Sequence, residues 1–182
     1  TKGNKRVGYL VYNHFSSGAT GNSNEYDDDL RSASQYFAGQ QVNELILDLR
    51  YNNGGLLSCA ELMCALLAPA SQLGQEQSGA NLNLNTLYIL TSSQTASASE
   101  MVINCLKPLM EKVVIIGGTT EGKNVGSRAF SNPELMITMS PIVCKIYKEL
   151  ERLVGFNKIA MSVDHVLDAA ETITTIRIKM PE

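Results

Sequence analysis

Four short apolar segments recur along the chain, each bounded by polar or glycine-bearing residues. They cover residues 6–13, 44–50, 86–91 and 112–117, and they are rich in Leu, Ile, Val and Tyr. Runs of this length and composition are typical of β-strands, and a run that is apolar throughout indicates a strand covered on both faces. We therefore predict four strands, of which the last three are buried.

Three segments between and after these strands carry apolar residues at helical spacing. They span residues 25–40, 56–67 and 97–110, and Pro108 makes the last turn of the third an unfavourable place for a helix. The recurring order of strand, tight turn, helix and strand predicts an α/β domain with right-handed crossovers. In such sheets, ligands bind where strands end and helices begin.

The other segments are less regular. Residues 71–85 are polar and predict a linker or surface loop. Residues 135–139 and 142–146 have strand character, and we predict that they pair through Ser140-Pro141. The tail predicts three further elements, which are helices near 148–154 and 163–170 and a closing strand near 172–179.

Composition narrows the classes of function. The chain has 182 residues, 44% of them hydrophobic, which suits one domain with a buried core. A net charge of −3 argues against nucleic acid or an anionic membrane as a partner, and no apolar run is long enough to span a bilayer. The opening residues, Thr1-Lys-Gly-Asn-Lys-Arg6, are neither a signal peptide nor a natural start, so we interpret the chain as part of a longer polypeptide.

The cysteines and histidines form no recognisable metal motif. His14 and His165 are isolated in the sequence. The chain has four cysteines, Cys59, Cys64, Cys105 and Cys144. Their spacing is not that of a zinc site, so we expect small buried apolar residues. We expect neither a metal nor a cofactor.

The segment Thr95-Ala-Ser-Ala-Ser-Glu100 carries the first candidate chemistry. Ser97 and Glu100 have the spacing of a capping box, so Ser97 is predicted to begin a helix. A capping role alone would explain this serine. The same position also suits a nucleophile, because the free N–H of Ala98 and the helix dipole would stabilise an oxyanion beside it.

A serine hydroxyl needs a base to take its proton, and no histidine is placed near Ser97 by a local motif. Lys123 follows a predicted strand and lies between Gly122 and Gly126, in a loop that would hold it close to backbone. An uncharged lysine amine can act as a base. Most lone loop lysines are simply solvated, and the combination with Ser97 is what makes Lys123 a candidate.

A third motif follows the second predicted strand, Asp48-Leu-Arg-Tyr-Asn-Asn-Gly-Gly55. Its two glycines allow positive φ and a close approach of backbone to a ligand, although a plain turn would also explain them. On the functional interpretation, the N–H of Gly54 is the second oxyanion donor. We interpret Asp48 and Arg50 as an internal polar pair that fixes the turn.

Together, the three motifs resemble the C-terminal processing proteases, also called tail-specific proteases. That family has a strand ending in Asp-Leu-Arg-x-Asn-x-Gly-Gly, a Ser-Ala-Ser-Ala-Ser-Glu-like helix start and then Gly-Lys, and the resemblance covers roughly residues 4–146. It implies an α/β fold with a crotonase-like (ClpP/crotonase) core of repeated β-β-α units. It also implies a serine–lysine dyad of Ser97 and Lys123, with Gly54 and Ala98 as oxyanion donors.

The resemblance further implies polypeptide substrates cut near their C-termini and a location in the bacterial cell envelope or periplasm. We expect residues 1–182 to be a catalytic core, without the PDZ domain that precedes it in the family and with 147–182 as an unassigned tail. Many members have a glutamine four residues after the lysine. Ser127 stands there instead, so we expect a dyad, with Ser127 as the candidate orienting residue.

Two other functions remain open from the sequence. A domain of the same fold can bind ligands or peptides without catalysis, and the missing glutamine is compatible with that. An acyl-CoA enzyme of the crotonase type would hold an enolate with backbone amides and would not need a Ser–Lys pair.

Overall fold

The fold comes from a computed structural model, which describes residues 5–20, 23–72, 81–84, 86–145 and 178–179. The first part of the chain alternates strands and helices: β1 (Val7–Val11), α1 (Glu25–Gly39), β2 (Glu44–Asp48), α2 (Leu57–Leu67), β3 (Thr86–Thr91), α3 (Ala98–Leu106) and β4 (Lys112–Gly117). Five short strands follow: β5 (Val125–Ser127), β6 (Phe130–Asn132), β7 (Ile137–Met139), β8 (Ile142–Lys145) and β9 (Ile178–Lys179). A 3₁₀ turn lies at Ala70–Gln72.

The predicted α/β architecture is confirmed in its main sheet. Strands β1, β2, β3 and β4 are parallel and lie side by side in chain order. Because each crossover steps in the same direction and crossovers are right-handed, the three helices share one face of the sheet. The side chains on that face form the core, with Leu45, Leu47, Leu87 and Ile89 fully buried.

The opposite face of the sheet is more open in the described part of the chain. Val7, Tyr9 and Val11 of β1 point to that face and are exposed. No helix among the described residues is long and apolar enough to cross a membrane.

The prediction that β4 is a buried strand was wrong. It is the last strand of the sheet, and Ile115 and Ile116 are 41% and 49% exposed. An apolar run predicts that a segment joins the sheet, but it does not predict whether another strand or helix covers that segment. The sequence therefore could not show that β4 is less buried than β2 and β3.

The predicted pairing of residues 135–139 with 142–146 was also wrong. β7 pairs with β6 and β9, whereas β8 pairs with β5. The turn at residues 133–136 explains this, since Asn132 Oδ1 accepts a hydrogen bond from Leu135 N and closes a β6–β7 hairpin. Turn chemistry before β7 therefore determined its partner, and neither β5 nor β6 was predicted.

The helices follow the predictions closely, with one shortened end. α3 stops at Leu106 rather than Met110, because Pro108 has no N–H to donate and its ring opposes a further helical turn. The predicted surface loop over 71–85 was partly wrong, since Leu82 and Leu84 are buried in the core. Residues 73–80 and the predicted tail helices lie outside the described residues, while β9 supports the closing strand at 178–179.

Candidate active site

Two loops meet at the carboxyl ends of β2 and β3, where an α/β sheet presents its ligands. Four hydrogen bonds join them, one of which Ser92 Oγ donates to Arg50 O. Thr95 Oγ1 donates to Leu49 O at 2.8 Å, Ala96 N donates to Asn52 O at 3.2 Å, and Ser99 Oγ donates to the same Asn52 oxygen at 3.0 Å. The glycine motif and the serine motif, which are separated along the chain, therefore form one rigid unit.

Ser97 occupies an unusual backbone conformation in this unit. Its φ is 57° and its ψ is −113°, and the next residue begins α3. A residue with a Cβ is strained there, by about 1–3 kcal/mol, and such strain is concentrated at functional sites. In α/β-hydrolases, a sharp strand-to-helix turn of this kind leaves the side chain of a nucleophilic serine exposed. The sequence indicated the helix start but not this conformation.

Gly54 lies directly against the serine. Its φ is +104°, and a Cβ built on it would lie 2.8 Å from Ser97 Cβ and 3.0 Å from Ala98 N. Gly55 is equally constrained, since a Cβ there would lie 2.1 Å from Phe15 O. The glycines therefore allow two backbones to approach more closely than any other residue would permit.

The two predicted oxyanion donors differ in their present partners. The Ala98 N–H, at the first helical position, has no hydrogen-bond partner among the described residues. The Gly54 N–H donates to Asn52 Oδ1 at 2.9 Å. As far as the described residues show, the Ala98 N–H is available to bind a substrate oxyanion, whereas the Gly54 N–H is already bonded to Asn52 and would have to be shared.

Asn52 holds several parts of the site together by hydrogen bonds. The sequence showed it only as one residue of the glycine motif and did not reveal this role. The residue is fully buried, and its Nδ2 donates to Tyr12 O at 2.7 Å. Its Oδ1 accepts from Gly54 and its backbone oxygen accepts from the serine loop. An asparagine directly before a Gly-containing turn was the available signal, because its side chain mimics a backbone turn.

Glu100 connects the serine to the loop at residues 118–124, which carries Lys123 and is called the lysine loop below. The capping box is formed, and Glu100 Oε2 accepts a hydrogen bond from Ser97 N at 2.9 Å. The same oxygen accepts from Lys123 N at 2.9 Å. Oε1 accepts from Gly122 N at 2.7 Å and from Thr120 Oγ1 at 2.6 Å. The sequence predicted only the capping bond.

The side chains of Lys123 and Ser127 are less constrained. The Lys123 backbone reaches Glu100, but its side chain is exposed and forms no hydrogen bond or ion pair within the described residues. Ser127 is exposed at the end of β5, beside an irregularity in the pairing with β8. The backbone thus brings residue 123 to the serine unit, while the dyad contact itself stays a prediction.

The predicted polar pair of Asp48 and Arg50 is confirmed. Asp48 is buried, and Arg50 Nη2 and Tyr9 Oη donate to its Oδ2 at 2.7 Å and 2.6 Å. The hydrogen bond from the guanidinium, helped by that from Tyr9, holds the pKa of Asp48 well below its usual range despite the cost of burial. The pair fixes the turn and leaves Asp48 unsuited to accept a proton near neutral pH.

The expectation for the cysteines holds where the structure describes their side chains. Cys59, Cys64 and Cys105 are buried and free. Hydrogen bonding to Cys105, together with burial, raises the pKa of Cys64 well above its ordinary value. These thiols are core residues of α2 and α3, and none belongs to the serine site.

Several known proteins resemble this chain in sequence or in fold. The sequence profile of Peptidase family S41 matches residues 6–143. A Bacteroides fragilis NCTC 9343 protein assigned as an S41 protease is 42% identical with a TM-score of 0.74, and the match covers 83% of this chain and 46% of that one. A photosystem II D1 C-terminal processing protease is 23% identical, has a TM-score of 0.56, and is matched over 70% of this chain and 34% of that one. A Streptococcus agalactiae lipoprotein is 18% identical and has a TM-score of 0.51, and the match covers 71% of this chain and 52% of that one.

The last two similarities concern the fold alone. The chain spans less than half the length of the Bacteroides fragilis protein. The profile nevertheless covers most of the chain, including both glycine and serine motifs and Lys123. The family resemblance expected from the motifs is confirmed, and this chain belongs to peptidase family S41, a family of serine-type peptidases.

Proposed function

We propose that this chain is the catalytic core of a serine endopeptidase that cuts polypeptides near their C-termini. The observation that carries the proposal is the strained conformation of Ser97 at φ 57° and ψ −113°, beside an Ala98 N–H that has no hydrogen-bond partner in the described part of the chain. A capping role does not require this strain, because an unstrained serine would cap the helix equally well. The strained conformation is explained if the Ser97 hydroxyl must face a substrate.

The proposed reaction uses Lys123 in its uncharged form. Ser97 Oγ attacks the scissile carbonyl carbon, and its proton passes to Lys123 Nζ. The amides of Ala98 and Gly54 stabilise the negative oxygen of the tetrahedral intermediate, and the Gly54 N–H shares its hydrogen bond between Asn52 Oδ1 and the substrate oxygen. The C–N bond then breaks, the leaving amine takes the proton from the lysine, and water hydrolyses the acyl-enzyme with Lys123 again as the base.

We infer the substrate class and the location from the family. The photosystem II D1 relative is a C-terminal processing protease by description, which favours cleavage near C-termini here. We further propose a crotonase-like core, with Ser127 in the place of an orienting residue, and a location in the bacterial cell envelope or periplasm. An extended peptide would pair with an exposed strand edge of the core.

A second candidate is a peptide-binding module without catalysis. It is favoured by the exposed side chain of Lys123, which has no described contact with Ser97, and by the bond that engages the Gly54 N–H. Catalytic hydrogen bonds often tighten only when substrate binds, so the apo geometry is compatible with both functions.

A fluorophosphonate probe separates the two. The protein at its full natural length should be labelled, whereas Ser97→Ala should not, and Lys123→Ala should slow labelling by about 100-fold or more. Ser93→Ala, which changes an exposed serine four residues earlier in the same loop, is the matched control and should still be labelled. Equal labelling of the natural protein and Ser97→Ala would exclude the hydrolase. Peptide binding without labelling would support the module.

A further inference from the structure

We propose that Glu100 is the positioning residue of the dyad, which holds the lysine loop in register with Ser97. This inference rests on the proposed function, since it assigns to Glu100 an effect on Lys123. The observation behind it is that one carboxylate oxygen accepts hydrogen bonds from both Ser97 N and Lys123 N, each at 2.9 Å. The backbones of the proposed nucleophile and base are therefore joined through a single atom.

The carboxylate of Glu100 is buried, and both of its oxygens accept hydrogen bonds. Glu100 is 8% exposed, and its two oxygens accept four hydrogen bonds, two at Oε2 and two at Oε1. A buried charge is costly unless donors replace the water that it loses, and hydrogen bonds to a charged acceptor are about twice as strong as neutral ones. A helix cap requires one of these bonds, so three of them serve the loop at 120–123.

Among the residues that the structure describes, the lysine loop has few other hydrogen bonds close to Lys123. Glu121 N donates to Thr95 O at 3.0 Å, and further back Gly118 N donates to Thr91 O at 3.0 Å. The φ of Gly122 is +82°, which turns two successive N–H groups, those of residues 122 and 123, onto the same carboxylate. Two consecutive amides arranged in this way form an anion-binding concavity, and here Glu100 is the anion.

The geometry predicts how two substitutions at this position differ. Glu100→Ala leaves the amides of Ser97, Gly122 and Lys123 without their acceptor. Glu100→Gln can keep its oxygen on the Ser97 and Lys123 amides, and the Thr120 hydroxyl can reverse and accept from the new NH2 group. That NH2 group cannot accept from the Gly122 N–H, which loses its acceptor. Gln should therefore rescue part of the function that Ala loses, and adding Thr120→Val should remove part of that rescue.

The test measures peptide hydrolysis and fluorophosphonate labelling in the full-length protein, per mole of folded enzyme. We expect Glu100→Ala to lower kcat by about 100-fold with KM little changed, because misplacing a catalytic group by about 1 Å costs that much. Glu100→Gln should lose about 10-fold by the same argument. Glu111→Gln, an exposed carboxylate at the opposite end of β4, is the matched control and should behave like the natural protein.

A double-mutant cycle distinguishes positioning from general stabilisation. In a Lys123→Ala background, Glu100→Ala should slow labelling by less than about twofold, because the group that it positions is already gone. An additional 100-fold loss in that background would overturn the inference, as would full kcat in folded Glu100→Ala. The proposed function fails separately, when Ser97→Ala is still labelled or Lys123→Ala is labelled at the natural rate. If Glu100→Ala does not fold, Glu100→Gln with and without Thr120→Val gives the same comparison.

Discussion

The backbone of Gly54 lies so close to Ser97 that a Cβ on the glycine would be 2.8 Å from the Cβ of the serine. Real Cβ contacts of this length essentially never occur, so the glycine is required where the two loops meet. The contact also fixes the position of the Gly54 amide relative to the Ser97 hydroxyl. Several consequences of this arrangement can be measured.

Replacing Gly54 by alanine should damage both the fold and the reaction. The residue has φ +104°, and the new methyl group would overlap Ser97 Cβ and Ala96 O. We expect a loss of about 2–3 kcal/mol in the free energy of unfolding. Labelling of Ser97 should slow by about 100-fold, because the serine must move. Chemical unfolding and probe labelling would measure the two effects.

Gly39→Ala provides the comparison for that variant. Gly39 ends α1, and nothing lies within 4 Å of the position that a Cβ would take. Alanine there should leave labelling unchanged and stability equal or higher by about 0.4–1 kcal/mol. Equal effects of the two substitutions would contradict the close approach at Gly54.

The conformation of Ser97 predicts a difference in folding stability between two inactive variants. Glycine tolerates φ 57° with ψ −113° and alanine does not, so Ser97→Gly should be more stable than Ser97→Ala by about 1 kcal/mol. Neither should be labelled by a fluorophosphonate. Urea unfolding of both proteins provides the measurement. A more stable alanine variant would show that the backbone at residue 97 is unstrained.

Asn52→Ala should destabilise the site strongly. It removes the partner of the Gly54 N–H, which is buried, and that of Tyr12 O, which is partly buried. Leaving buried polar groups unpaired costs about 1–3 kcal/mol each, so we expect a loss of about 3 kcal/mol. The exposed neighbour Asn53 serves as the control, and Asn53→Ala should change stability by no more than about 0.5 kcal/mol. Thermal unfolding of the two variants would show whether this difference exists.

Acid should weaken the turn that follows β2. The pKa of Asp48 is lowered in the folded state by its hydrogen bonds from Arg50 and Tyr9. A lowered folded pKa means that the unfolded chain binds a proton first as pH falls. The stabilisation is therefore complete above the ordinary value of 3.8 and is lost progressively below it.

Asp48→Asn tests this origin of acid sensitivity. The variant should be less stable than the natural protein at pH 7, and its free energy of unfolding should change less between about pH 4 and pH 2. Urea unfolding at several pH values measures both slopes. Parallel curves for the two proteins would mean that Asp48 does not contribute to the pH dependence.

The local chemistry of the sequence was sufficient for much of this description. Apolar runs and turn residues predicted β1 to β4, the helical spacing predicted α1 to α3, and Pro108 indicated the early end of α3. The Ser97–Glu100 spacing predicted the capping box. These features depend on neighbours within a few residues, which is why one sequence reveals them.

Other features were decided only by contacts between distant parts of the chain. Whether β4 is covered, which strand β7 pairs with, and how Leu82 and Leu84 reach the core depend on neighbours that no local pattern specifies. The same is true of the site. The sequence by itself determined the family and the residue types that carry the proposed chemistry, because motifs are local. Only the tertiary structure determined the strain at Ser97, the contact with Gly54 and the carboxylate of Glu100 between two loops, because those require backbones far apart in sequence to pack together.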